Sequence, residues 1–185
     1  MTIPNLLTIL RVLLTPLLVI LLLEERLSEA LLVFIVAGIT DGLDGLIARL
    51  YKQKSRLGAV LDPLADKLLL ASTYVLLAFQ NLVPNWLTVI VLSRDLLIMV
   101  GIFVLFMQDL PVEIRPTLIS KMTTCAQILT AIVTMASALA VPHPLLKKIL
   151  FQITASLTIV SWGQYLVRGV RIMQQAGENH KDRMP

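Results

Sequence analysis

The sequence predicts an all-α integral membrane protein of six transmembrane helices, and three observations predict it. Of its 185 residues, 57% are hydrophobic and 15% charged, and the mean hydropathy is +0.83, too apolar for a soluble domain. Apolar runs of spanning length recur six times, at roughly 5–23, 28–49, 59–79, 85–107, 117–140 and 145–171. Each is close to the ~20 residues that a transmembrane helix needs. The connections between them are short, so one transmembrane domain over 1–185 is expected, with a polar tail from about 175 that frays.

The first run carries Asn5, Thr8 and Arg11 at i, i+3 and i+6, one polar stripe on an otherwise apolar helix. Interfacial anchoring is the structural alternative for that stripe. With Arg11 inside the run and no small-residue cleavage site after it, the segment is not expected to be a cleavable signal. The second run holds Asp41 and Asp44 at i, i+3, together with Gly42, Gly45, Ala48 and Arg49. The third holds Asp62 and Asp66 at i, i+4, after Gly58 and around Pro63. Arg94 and Asp95 interrupt the fourth run, VIVLSRDLLIMV; intramembrane ionisable residues are functional candidates, and a buried ion pair is the structural alternative. Arg115 precedes the fifth run, in which Lys121, Thr124 and Gln127 follow at helical spacing. Its Cys125, the single cysteine, excludes an intrachain disulfide and a cysteine-based zinc site, and reads as a free thiol packed in a helix.

Charge distribution predicts topology. Arg49, Lys52, Lys54 and Arg56 cluster in the second connection, Arg115 and Lys121 around the fourth, and Arg168, Arg171, Lys181 and Arg183 at the C-terminal end. The first connection is net acidic and the third uncharged, and Lys147 and Lys148 alone break the pattern. The positive-inside rule then puts both termini and the aspartates on the cytoplasmic side. Topology accounts for the net charge of +4 without nucleic-acid binding. His143 and His180 are expected to be solvated and uninvolved.

The four aspartates demand compensation. A charge at the bilayer centre costs roughly 2.5–3.5 kcal/mol on insertion scales, so four would cost on the order of 10 kcal/mol unless hydrated or bound to cations. Each pair shares a helix face, and a short basic turn joins the two helices, so the acidic faces can meet. With no His or Cys nearby, the ligands are hard oxygens, which suit Mg²⁺, Mn²⁺ or Ca²⁺ rather than zinc or copper. The structural alternative is ion pairing with Arg49, Lys52 and Lys67. Gly42, Gly45, Ala48 and Gly58 clear space for a bulky ligand or allow close helix packing. Arg49 could clamp a phosphate or snorkel to the interface.

The run Asp41-x-x-Asp44-Gly45-x-x-Ala48-Arg49, eight residues, then Gly58-x-x-x-Asp62-x-x-x-Asp66, resembles the signature of the CDP-alcohol phosphotransferases at every defined position. The hydropathy pattern resembles that family's six-helix fold over essentially the whole chain. The resemblance implies a transferase that moves a substituted phosphate from a CDP-linked donor to an alcohol and releases CMP. It implies that Asp41, Asp44, Asp62 and Asp66 bind two Mg²⁺ or Mn²⁺ ions and that Asp66 is the general base. Gly45, Ala48 and Gly58 would accommodate the cytidine nucleotide, and Arg49, with Asn5 and Thr8, the diphosphate.

The N-terminal Pro4-Asn5-x-Leu7-Thr8-x-x-Arg11 resembles a segment of the phosphatidylglycerophosphate and cardiolipin synthases of that family, and implies acceptor-phosphate binding by Arg11. Ser93-Arg94-Asp95 and Pro116-Thr117-x-Ile119-Ser120-Lys121 look more like the CMP-forming cardiolipin synthases. The expected donor is therefore CDP-diacylglycerol and the preferred acceptor phosphatidylglycerol, with glycerol 3-phosphate as the alternative. Arg11, Arg94, Arg115 and Lys121 are the acceptor candidates. The family also implies a homodimer packed through the later helices, and the setting is a bacterial inner membrane or its equivalent. A small transporter is the competing non-enzyme reading. It predicts midplane charges and an inverted repeat, whereas the acids lie at one membrane side and the halves do not resemble each other.

Overall fold

The computed structural model describes the backbone over 3–51, 56–107, 117–139 and 144–181, and side chains over 9–42, 65–101, 117–139, 144–167 and 169. Six helices form these residues: α1 (Ile3–Leu23), α2 (Leu27–Tyr51), α3 (Arg56–Phe79), α4 (Asn85–Met107), α5 (Leu118–Leu139) and α6 (Pro144–Lys181). The expected runs correspond to them one by one. The sixth differs, because α6 continues through residues expected to fray and ends at Lys181. Gln174, Gln175, Ala176, Glu178 and Lys181 include good helix formers, and a helix already nucleated extends at little cost.

The turns between helices have a local cause. At the end of α1, Arg26 N–H donates to Leu21 O (2.9 Å) and Glu25 N–H to Leu22 O (3.1 Å), with Glu25 at φ 58°. The end of α3 repeats this: Leu82 N–H donates to Leu77 O (2.9 Å), Asn81 N–H to Ala78 O (2.9 Å), and Asn81 sits at φ 58°. Both are paired-bond C-caps with a left-handed residue, a position that Asn tolerates well and Glu less so. Gln80 Nε2 donates to Leu22 O, tying the two turns together. Arg26 is clipped by Glu29 and Glu24, whose hydrogen bonds raise its pKa, Glu29 most. That exposed cluster is screened by solvent and contributes little.

Helix α1 packs on α2 and α3, α5 on α6 and α2, and α4 bridges α6 and α3. The core where they meet includes Leu18, Leu22, Phe34, Leu70, Tyr74, Leu77, Leu87, Val91 and Met135. Leu13, Leu32, Leu68, Val89, Leu96 and Leu129 are instead half or more exposed on the outer faces. A surface this apolar is expected of a protein solvated by lipid. Among the described residues, Leu118–Leu139 and Pro144–Val167 are long and apolar enough to cross a membrane. Cys125 is free but exposed on α5, not packed. It shares an outward face with Lys121, Met122 and Leu129.

Candidate active site

Helix α1 delivers Arg11 into the space between α2 and α3. Its side chain is fully buried, with Nη1 donating to Asp66 Oδ1 and Nη2 lying 2.8 Å from Asp41 Oδ1. Two signature carboxylates from different helices therefore converge on one cation. The carboxylates are more open than their partner: Asp41 is 46% exposed and Asp66 36%, against 0% for Arg11. Nη2 meets Asp41 as a charge contact without hydrogen-bond alignment, and Nε has no hydrogen-bond partner among the described residues. A Cβ added to Gly42 would meet nothing within 4 Å, so packing does not force that glycine.

The backbones of Asp44, Gly45, Ala48 and Arg49 run within α2, those of Gly58 and Asp62 within α3, and those of Asn5 and Thr8 within α1. Their side chains lie outside the described residues, as do Arg115 and His143 and the side chain of His180. Among the described residues no group of three metal-ligating side chains assembles. The two aspartates that are described nonetheless fit a hard divalent cation. They offer carboxylate oxygens on an open side, they come from two rigid helices, and a positive charge already sits between them.

A second charged cluster lies next along α3. Successive helical residues point about 100° apart, so Asp66 faces α1 while Lys67 faces α4. Lys67 Nζ donates to Asp95 Oδ1 at 2.6 Å, and Arg94 Nη1 donates to the same oxygen at 2.6 Å. Arg94 Nη2 donates to Ser120 Oγ (2.6 Å) on α5 and Ser161 Oγ (3.1 Å) on α6, and the guanidinium carbon lies 5.8 Å from the Tyr165 ring centre. Of the ion pairs expected as the structural alternative, those with Arg49 and Lys52 lie outside the described residues; among the described ones Arg11 meets Asp41 and Asp66, while Lys67 takes Asp95. Arg94 joins Asp95 in a buried ion pair, and Lys121 is exposed.

Reasoning from sequence passed over a polar seam. Ser120, Thr123, Gln127, Thr130, Thr134 and Ser137 are all buried on α5. Their alternating 3- and 4-residue spacing is that of an interhelical seam. Thr130 and Thr154 hydroxyls meet at 2.7 Å, Thr123 Oγ1 donates to Leu157 O (3.1 Å), and Tyr74 Oη donates to Gln127 O (3.0 Å). Small hydroxylated residues let membrane helices approach closely and bond across the gap. The signal was legible as that spacing. Thr124 lies off the seam and bonds back to Ser120 O at 3.2 Å.

The CDP-alcohol phosphatidyltransferase model matches residues 1–160. The chain belongs to that family. Relatives support the same assignment. The chain is 38% identical to a Rattus norvegicus protein named cardiolipin synthase (CMP-forming), over 94% of this chain and 63% of that protein. The Homo sapiens protein of the same name is 37% identical over the same shares. A Streptomyces coelicolor protein of that name is 43% identical over 55% of this chain and 51% of its own length. The chain thus spans about 63% of the length of the rat and human relatives it matches. Membership makes the chain a membrane transferase family member, in keeping with its apolar helices.

Proposed function

We propose that this protein is a CMP-forming cardiolipin synthase, transferring the phosphatidyl group of CDP-diacylglycerol to phosphatidylglycerol. The observation that carries this reading is the convergence of Asp41 and Asp66 from α2 and α3 at one charged point, within a chain of this family. The relatives' names supply the acceptor, in agreement with the sequence around Arg94 and Lys121.

Asp41, Asp44, Asp62 and Asp66 would hold two Mg²⁺ or Mn²⁺ ions, whose charge neutralises the donor diphosphate and the departing CMP. The remaining work falls to side chains. Asp66 accepts the proton of the attacking hydroxyl, which requires hydrogen-bond reach. The acceptor oxygen bonds to the phosphorus bearing diacylglycerol, the bond from that phosphorus to the CMP oxygen breaks, and CMP leaves with the electron pair. Asn5, Thr8 and Arg49 orient the diphosphate, and Gly45, Ala48 and Gly58 leave room for the cytidine. Arg11, Arg115 and Lys121 serve the acceptor phosphate. Arg94 acts beside them by fixing α4, α5 and α6 around that region through Asp95, Ser120 and Ser161.

All six helices span the bilayer as one domain, with both termini and the site on the cytoplasmic side, and the protein works as a homodimer through its later helices. The partial exposure of Asp41 and Asp66 fits a site reached by water, since charge is cheapest where it is hydrated.

The test is an acceptor competition with purified protein, labelled CDP-diacylglycerol and Mg²⁺ or Mn²⁺. Cardiolipin plus CMP from phosphatidylglycerol is the expected result, lost in Asp66→Asn and on chelation of the metal. Phosphatidylglycerophosphate made from glycerol 3-phosphate would overturn the acceptor and keep the reaction class. Turnover by Asp66→Asn would remove Asp66 as the base.

A further inference from the structure

We infer that Arg11 is an exchangeable counter-ion, which occupies the Asp41–Asp66 pair until a divalent cation takes those carboxylates and frees the guanidinium for a phosphate. The inference rests on the metal reading above and adds a competition that the reading does not contain.

Four observations carry it. Arg11 is fully buried, so its charge has left water and needs anionic partners. The partners it has are two candidate metal ligands, one from each neighbouring helix. Its hydrogen bonding is incomplete: Nε has no partner and Nη2 is misaligned, among the described residues. Its planar fork therefore keeps donors that a second anion could take. Finally, Asp41 and Asp66 are partly exposed where the guanidinium is fully buried.

Electrostatics then makes the occupants exclusive. A guanidinium and a divalent cation on the same carboxylate oxygens would sit a few ångströms apart in a poorly solvated space, where like charges repel strongly. Arg94 provides the contrast. It is nearly as buried and its Nε likewise has no partner among the described residues, but Asp95, two serine hydroxyls and the Tyr165 ring hold it, and none of these is a signature residue. Arg94 is fixed by residues outside the signature, whereas among the described residues the guanidinium of Arg11 is held by groups that another cation competes for. When displaced, its free Nε and Nη2 are donors suited to two phosphate oxygens.

The experiment measures Mn²⁺ binding directly, by electron paramagnetic resonance of free Mn²⁺, on the full chain without substrates. Wild type, Arg11→Gln, Arg11→Lys and Asp66→Asn are compared, with thermal unfolding followed in parallel. The expected result is Mn²⁺ binding tighter by roughly tenfold in Arg11→Gln, the scale of one lost charge-assisted contact. Metal-free Arg11→Gln should unfold at lower temperature than wild type and gain more from Mn²⁺. Arg11→Lys, which folds with the charge kept but the fork removed, should lie between the two. Unchanged or weaker Mn²⁺ binding in both Arg11 variants would overturn the inference while leaving the metal site standing. Absence of Mn²⁺ binding in all four proteins, wild type included, would overturn the metal reading and the inference together.

Discussion

Removing Asp95 tests whether the charges inside the bundle are as desolvated as their geometry implies. Asp95 Oδ1 accepts from Arg94 Nη1 and Lys67 Nζ, both at 2.6 Å, and its side chain is 10% exposed. In Asp95→Ala, Arg94 keeps its charge at 2% exposure and Lys67 at 24%. Breaking a buried pair from one side costs about 3–5 kcal/mol, because the remaining charge has no counter-ion. Ser120 and Ser161 still accept from Arg94, and Lys67 is partly open, which pulls the estimate to the lower end, about 3 kcal/mol. Asp95→Asn keeps an acceptor oxygen without the charge and should cost about 2 kcal/mol. Lys67→Ala leaves Asp95 paired with Arg94 and should cost about 1 kcal/mol. The assay is reversible unfolding of detergent-solubilised protein, followed by circular dichroism. An Asp95→Ala protein within about 1 kcal/mol of wild type, or Lys67→Ala as costly as Asp95→Ala, would refute the reasoning, by placing water where the structure has protein.

Two further outcomes are expected. Gln127→Leu should be neutral or stabilising by about 1 kcal/mol in the same unfolding assay, because the buried amide has no hydrogen-bond partner among the described residues; a loss above about 2 kcal/mol would mean that its amide is bonded after all. Lys121→Ala should raise the acceptor KM more than the donor KM, since the exposed ammonium is available to a second phosphate; equal effects on both substrates would move Lys121 out of the acceptor site.

Local chemistry made much of this protein legible in advance. Lipid solvation demands apolar runs of about 20 residues, so six such runs announce six helices whatever their packing, and the bounds of α4 matched to the residue. Apolar stretches cannot carry bare charge, so Asp41, Asp44, Asp62 and Asp66 pointed to a cation before any partner was visible. The start of α1 was also readable as a polar stripe, because i, i+3 spacing is a property of a single helix.

Partner choice was another matter, since it depends on how helices rotate against each other. In sequence, Arg11 reads as an interfacial anchor or a phosphate ligand. Only the placement of α1 between α2 and α3 gave it Asp41 and Asp66, 30 and 55 positions away along the chain. Asp66 and Lys67 are adjacent in sequence, yet the helical turn between them sends one to α1 and the other to α4. Ser120 and Lys121 are likewise adjacent, yet the orientation of α5 presents Ser120 to Arg94 and leaves Lys121 exposed. The tail was judged by its polarity, whereas continuation of a formed helix depends on nucleation already provided upstream, and α6 runs on to Lys181. Composition and spacing thus determined the elements, because these follow from one helix in lipid. Pairings between charges required the bundle, because a carboxylate takes whichever cation the packing brings within reach.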